Sequence, residues 1–259
     1  VTLKRPKKVA AYTCEAELCE QLRGVARAVG FKVYAETGGH DLLLIAGADC
    51  KGFKEGDQIG IQAKLRENIQ VLAQALPAKG IYSQGPHYYA VLVPHASAEF
   101  KQVAHAAQIS VIAGDSLAPR RFGGRSNYEG GLGEYTMTSD FGRVRWFRQD
   151  HMAKPCWVPD CEVDGLKAGV AGPVQITKWK MQAIKLCMVG VERGYLTSRD
   201  FKDHGIEMSR WLAKGWIEGY DFIVHEGKRM KRYILRDDAK PPHLLYGVVT
   251  DALGKAGLV

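Results

Sequence analysis

The sequence predicts an α/β protein in which a mixed sheet flanked by helices is followed by a smaller unit of short helices and a β-hairpin. Two observations predict it. Over residues 1–115, helical and strand periodicities interleave in the order α-β-β-β-α-β-α-β, the order of a sheet covered by helices. From Thr177 onward, three short helical stretches precede two alternating strands joined by His225-Glu226-Gly227. Between them, residues 116–172 carry glycines at 123, 124, 130, 131 and 133 and few periodic apolar runs, the pattern of a connecting region. The expected division is therefore 1–115, 116–172 and 173–259.

Taken in order, Thr13 is placed to cap a helix running to about Val29. Leu18, Leu22, Val25 and Val29 form its apolar stripe, and Gly30 ends it. Phe31 to Ala35 alternates as a strand, Gly38-Gly39 turns the chain, and Asp41 to Ala46 reads as a buried strand. Gln58 to Lys64 alternates strictly, with Ile59, Ile61 and Ala63 on one side and Gly60, Gln62 and Lys64 on the other. A helix over Glu67–Leu76, a strand over Tyr88–Val93, a helix over Ala98–Ala107 and a strand over Ile109–Ala113 complete the first region.

Composition limits the function classes. The chain has 259 residues, is 46% hydrophobic and carries a net charge of +8. Its apolar runs reach about five residues, as in Leu42 to Ala46, far short of the roughly 20 that span a bilayer. Basic Val1–Lys8 leads into Tyr12, Cys14 and Glu15 rather than an apolar stretch, so a secretory signal is not expected. Six cysteines with no CxxC pair suit reduced thiols and a cytoplasmic location. Cys156 and Cys161, with His151 upstream, invite a zinc reading, but a structural zinc site normally shows two close ligand pairs. Lys178–Arg236 holds 13 Lys/Arg and 7 Asp/Glu, so +6 of the net charge lies in about a quarter of the chain. Such clustering suits a polyanion, most often nucleic acid, or a solvated basic face.

One constellation in the first region carries chemistry. Gln62 and Lys64 are expected to project together from the strand face opposite its apolar side, and Asp41 stands at the mouth of the neighbouring strand after the Gly-Gly turn. A carboxylate, a second oxygen donor and an ammonium can hold a hard ion such as magnesium beside an attacking water. Taken singly, Asp41 also suits a turn residue bonded to local backbone, and Lys64 a solvated lysine at a strand end.

The run Gly30-Phe31-Lys32-Val33, then Gly38-Gly39-His40-Asp41-Leu42-Leu43-Leu44-Ile45, then Ile61-Gln62-Ala63-Lys64 and a helix, resembles the PD-(D/E)XK nuclease superfamily. It is particularly similar to the archaeal-type Holliday junction resolvases and the VRR-NUC branch, over roughly Ala10 to Asp115. The resemblance implies a restriction-endonuclease-like sheet and a Mg2+ or Mn2+ cofactor. It makes Asp41 the metal-binding aspartate, Gln62 a ligand at a position usually held by an acid, and Lys64 the catalytic lysine. His40 stands where the motif has proline. Gln62 matters more, because an amide oxygen brings no charge. The family also places a glutamate on the first helix; Glu15, Glu17 and Glu20 compete for it, and counting back from Gly30 favours Glu20.

In the last region, Thr177–Glu192 is predicted helical with Trp179, Ala183, Leu186 and Gly190 on one face. A short helix follows, capped by Thr197 or Ser198, then a third over Ile206–Lys214, and strands over Trp216–Val224 and Lys228–Leu235. Leu196-Thr197-Ser198-Arg199-Asp200-Phe201, Gly205-Ile206, Ser209-Arg210-Trp211-Leu212 and Gly215-Trp216-Ile217 are similar to winged helix-turn-helix domains. That similarity implies DNA contacts by Ser209, Arg210 and Lys214 on the third helix, with Glu207 and Met208 beside them, and by Lys228, Arg229, Lys231 and Arg232 on the hairpin. Trp211 and Leu212 are expected to pack inward, and Trp179 and Trp216 to join the core. Arg120, Arg121, Arg125, Arg143, Arg145 and Arg148 would extend a DNA path.

Three function classes follow: a metal-dependent DNA endonuclease acting on branched or structured DNA, a DNA-binding scaffold whose nuclease fold has lost catalysis, and an interaction protein that never meets DNA. A chain with one active site that cuts two strands is expected to work as a homodimer, near the nucleoid.

Overall fold

The computed structural model describes residues 12–48, 50, 52–76, 85–117, 144–149, 154–163, 166, 168, 175–225, 227–236 and 243–258. The chain forms two compact units, one of residues 1–156 and 167–172, the other of residues 157–166 and 173–259. The expected connecting stretch 116–172 is thus divided between them, with most of it outside the described residues.

The first unit is built on a five-stranded sheet in the order β1 (Phe31–Thr37), β2 (His40–Ala46), β3 (Gln58–Ala63), β4 (Tyr88–Val93), β5 (Ser110–Ala113). β1, β2 and β3 pair antiparallel; β3, β4 and β5 pair parallel. Antiparallel neighbours need only a tight turn. Thr37 and His40 pair across Gly38 and Gly39, both at positive φ (65° and 84°), the backbone a two-residue hairpin turn requires. Parallel neighbours need a crossover, which carries α2 (Ile69–Ala75) and then α3 (Ala98–Ala106).

Every residue of β3 and β4 is buried, so both sheet faces must be covered. On one face Val91, Val93, Val111 and Ala113 cluster with Val71, Leu72 and Ala75 of α2 and Phe100 and Ala104 of α3. Across β1 to β4 runs α1 (Glu15–Ala28), burying Leu18, Cys19, Leu22, Val25 and Ala26. A short turn of helix, α4 (Gly114–Leu117), follows β5. Two helix starts differ from expectation. Cys14, not Thr13, is the N-cap of α1, and Thr13 instead donates its backbone N–H and hydroxyl to Glu17 at 2.8 and 2.7 Å. Glu67 is drawn away to accept the Ser97 N–H at 2.7 Å, and Asn68 caps α2.

Gly60 leaves room for a neighbour. A Cβ there would lie 2.6 Å from the His40 ring, which also tilts against Tyr89 at 5.9 Å between centroids. His40 is 8% exposed, its Nδ1 has no hydrogen-bond partner, and burial pushes its pKa down to about 4. The imidazole is therefore neutral at pH 7 and acts here as a packing group.

In the second unit, α5 (Lys178–Arg193), α6 (Ser198–Asp203) and α7 (Met208–Ala213) precede a hairpin of β6 (Ile217–His225) and β7 (Lys228–Leu235). Phe201, Trp211, Tyr233, Leu186 and Leu196 form its core, with Phe201 and Trp211 edge to face at 5.3 Å. A C-terminal helix, α8 (His243–Lys255), packs on α5. Met181 and Ile184 of α5 are buried as well. Two inward assignments are corrected. Trp179 is 43% exposed, in the first turn of α5, and Leu212 is 41% exposed, on the side of α7 away from Trp211. Thr197 rather than Ser198 caps α6, in a reciprocal box with Asp200.

Two stability measurements test this packing. Gly60→Ala is expected to cost about 1–3 kcal/mol in denaturant unfolding, and most of that cost should disappear when His40→Ala opens the space. At Asp200, burial opposes ionisation, but hydrogen bonds from Arg193 and Thr197 outweigh it and hold the pKa below the ordinary value. Its contribution is present above the unfolded carboxylate pKa and is lost as pH falls through the folded value. Asp200→Asn should cost about 1 kcal/mol at pH 7, with the two unfolding curves converging below about pH 3.

Candidate active site at the end of β3

The last residue of β3 is where three elements are tied together. The Ala63 N–H donates to Asp41 Oδ2 at 2.7 Å, which joins β3 to the first residues of β2. The Lys64 N–H, one residue on, donates to the Leu92 carbonyl of β4 at 3.0 Å. The Lys64 side chain leaves the sheet and places Nζ 2.9 Å from Glu15 Oε2 in the first turn of α1. Both ends of that pair are half-buried, with side-chain exposures of 31% and 24%.

Asp41 is the electrostatic centre. Burial raises its pKa and the nearby Glu15 charge adds to that, while the Ala63 N–H and the Lys64 charge oppose it. The Cys19 thiol on α1 reports the same field: its pKa is raised by burial and then by Asp41, Glu36 and Glu15 in turn. Glu36 precedes the Gly-Gly hairpin turn with a φ of 48°, in the left-handed region that L-residues enter rarely. Three carboxylates thus act on one buried thiol, opposed by the Arg23 charge, while Lys64 opposes the rise at Asp41.

The structure places Lys64 where its charge acts on Asp41, and the helix glutamate beside Lys64 is Glu15. Glu20 is exposed and pairs with Arg23 at 3.2 Å on its own helix, whereas Glu15 holds Lys64. A signal for this was present in the sequence. Glu15, Leu18, Cys19, Leu22 and Ala26 follow the i, i+3, i+4 spacing of a single helix face, so extending the apolar stripe toward the N-terminus selects Glu15. Glu20 lies nearly opposite that stripe.

Gln62 departs from expectation in a different way. It pairs in register with Val91, a member of the cluster beneath α2 and α3, and is 9% exposed. Its Nε2 donates to the Gly39 carbonyl at 2.8 Å. Lys64 lies one residue beyond the end of β3 and reaches Glu15, whereas Gln62, within the strand, bonds to the Gly39 carbonyl. Gln70 and Gln74 of α2 are exposed.

A donor set of two neighbouring carboxylates, one raised in pKa by burial and by the other, suits a hard divalent cation that keeps several waters. A cation there would relieve the repulsion felt by Asp41. Among the described residues, no group of three or more His, Cys, Asp and Glu side chains is arranged to hold a metal ion. Cys156 spends its backbone on Gln58: its N–H donates to Gln58 Oε1 at 2.7 Å and its carbonyl accepts from Nε2 at 3.0 Å. Cys161 belongs to the other unit and His151 lies outside the described residues.

The expected DNA-facing residues are distributed as follows. Ser209 and Arg210 are exposed on α7 and both engage Glu207, the hydroxyl at 3.0 Å and the guanidinium at 2.8 Å. Lys214, Arg229 and Lys231 are exposed and Arg232 is half-buried; the Lys228 side chain lies outside the description. Arg148 is committed to structure: its Nη1 contacts both oxygens of buried Asp57 at 2.8 and 2.9 Å. Arg145 lies over the Phe147 ring at 5.1 Å, and Arg120, Arg121, Arg125 and Arg143 fall outside the described residues. No described helix is long and apolar enough to cross a membrane.

Comparison with protein-family models, with curated proteins and with solved structures returned no match to this chain.

The raised pKa of Asp41 has a stability consequence. A carboxyl with a folded pKa above its unfolded value costs stability once it ionises, and that cost disappears as pH falls below the unfolded value. Asp41→Asn keeps an oxygen for the Ala63 N–H and removes the charge. It is expected to unfold at higher denaturant than the parent at pH 7 without divalent metal, with the gap closing at about pH 4 and below.

Proposed function

We propose that this chain is a metal-dependent DNA endonuclease whose active site is the Asp41, Lys64, Glu15 cluster and whose C-terminal unit is a winged-helix DNA-binding domain. The observation that carries the reading is the arrangement of those three side chains. They come from β2, the end of β3 and the first turn of α1; Lys64 pairs with Glu15, and the charges of both act on Asp41. An exposed lysine gains little from one surface pair, so holding an ammonium half-buried among carboxylates calls for a purpose beyond stability.

In this reading Asp41 and Glu15 would hold Mg2+ or Mn2+, which would supply a lowered water pKa and offset phosphate charge. Lys64, 2.9 Å from Glu15, would orient the attacking water and stabilise negative charge on the phosphodiester oxygens. The Ala63 N–H fixes Asp41 Oδ2, leaving Oδ1 as its free donor atom. The order of three helices and a hairpin, and the +6 charge of Lys178–Arg236, support DNA as the partner. Cutting both strands would call for two copies of the chain.

One observation favours a second reading, a DNA-binding scaffold without catalysis. Gln62, at the position where the resembled family has an acid, is buried and offers an amide oxygen that carries no charge.

Labelled linear, nicked, flapped and four-way DNA incubated with Mg2+ or Mn2+ separates the two. Cleavage should fall at least about a hundredfold in Asp41→Ala, Lys64→Ala and Glu15→Gln, with DNA binding retained and Glu20→Gln indistinguishable from the parent. Salt-sensitive binding without cleavage of any substrate would select the scaffold.

A further inference from the structure

The hairpin of the second unit changes character along its length. At its base Ile217 pairs with Leu235 and Gly219 with Tyr233, and Ile217 and Tyr233 are buried in the core. An irregularity between Gly219 and Phe222 shifts the register, and beyond it the strands leave the core. There Phe222 pairs with Lys231 and Val224 with Arg229, and directly paired residues share a sheet face. Phe222 is 53% exposed and Val224 74%. The Arg229 guanidinium lies 4.4 Å from the Phe222 ring centroid.

An aromatic ring and a valine left in water on a paired, rigid hairpin are poorly explained by folding, since neither has core to fill. Their two neighbours on that face are cations, which selects among occupants. A second copy docking the same patch would set Arg229 and Lys231 against their own equivalents. A nucleic-acid strand offers the complement: bases with flat apolar faces, and phosphates spaced along them. Fully paired duplex hides its base faces by stacking, so the patch fits DNA whose stacking is interrupted.

We propose that the outer half of this hairpin binds unpaired nucleotides, with Phe222 stacking on an exposed base and Arg229 and Lys231 meeting the adjoining phosphates. The inference rests on the DNA-binding reading above and adds to it a contact on the second unit for bases left unstacked, as in a gap or bubble. Arg229 lies over the Phe222 ring, and the 53% exposure of Phe222 leaves surface for a base, an arrangement in which the cation adds to the stacking.

The test uses the full chain with a fully paired duplex and the same duplex carrying a central mismatched bubble, a fluorescent adenine analogue standing in the bubble. The parent should bind the bubble about tenfold more tightly and change the analogue's fluorescence. Phe222→Leu keeps an apolar side chain at an exposed position; it should lose that preference and that signal while its affinity for paired duplex stays within about twofold. Phe222→Trp should keep both. Duplex binding that is intact but indifferent to the bubble and to Phe222 overturns the inference and leaves the DNA reading standing. Failure of the parent to bind either DNA in a salt-sensitive way overturns both. Self-association, or binding to anionic phospholipid vesicles, that Phe222→Leu abolishes in the absence of any bubble preference assigns the patch to another partner and overturns it as well.

Discussion

Every element of the first unit takes its position from β3, six residues buried on both faces. It is antiparallel to β2 on one side and parallel to β4 on the other. A central strand of this kind can give no backbone group to water, so each N–H and carbonyl must find a partner in its neighbours. That requirement is met to the last residue. Where the sheet ladder runs out, the Ala63 N–H is taken by the Asp41 carboxylate and the Lys64 N–H by the Leu92 carbonyl. The candidate site is thus the place where the sheet ends and side chains take over the pairing that backbone supplied.

The same termination sets the local electrostatics. Asp41 satisfies a buried N–H and is itself drawn out of water, next to Glu15 and near Glu36. Taken alone, a neutral acceptor would satisfy Ala63 at lower cost, because burying a charge is expensive unless it is paired. Lys64 returns part of that cost and Glu15 shares the lysine. Strain follows the same geography: Glu36, in the left-handed region, lies in the same hairpin as Asp41. The fold tolerates these terms because β3 and β4 are buried along their whole length.

The second unit is organised by an aromatic core rather than by a sheet. Phe201, Trp211, Trp216 and Tyr233 meet edge to face, and α6 is held by the Thr197–Asp200 box, to which Arg193 of α5 adds its guanidinium. That compact base lets the hairpin extend beyond it, with the change of register after Gly219 marking where packing stops and exposure begins.

Element order, most helix and strand bounds, the Gly-Gly turn and the inward placement of Trp211 were determined by the sequence alone, because periodicity and turn chemistry are local. So were Asp41 and Lys64 as a pair, since each is fixed by a strand end. The partner of Lys64 was decided by tertiary structure: the phase of α1 against the sheet chooses Glu15, although the stripe running from Leu18 to Ala26 already contained that phase. The partner of Gln62 was decided there too, because the Gly39 carbonyl reaches it across the hairpin turn. Leu212, Trp179 and the helix over His243–Lys255 depend on what packs against what. An apolar residue beyond the edge of a core stays exposed whatever its spacing predicts, and only the assembled chain shows where that edge falls.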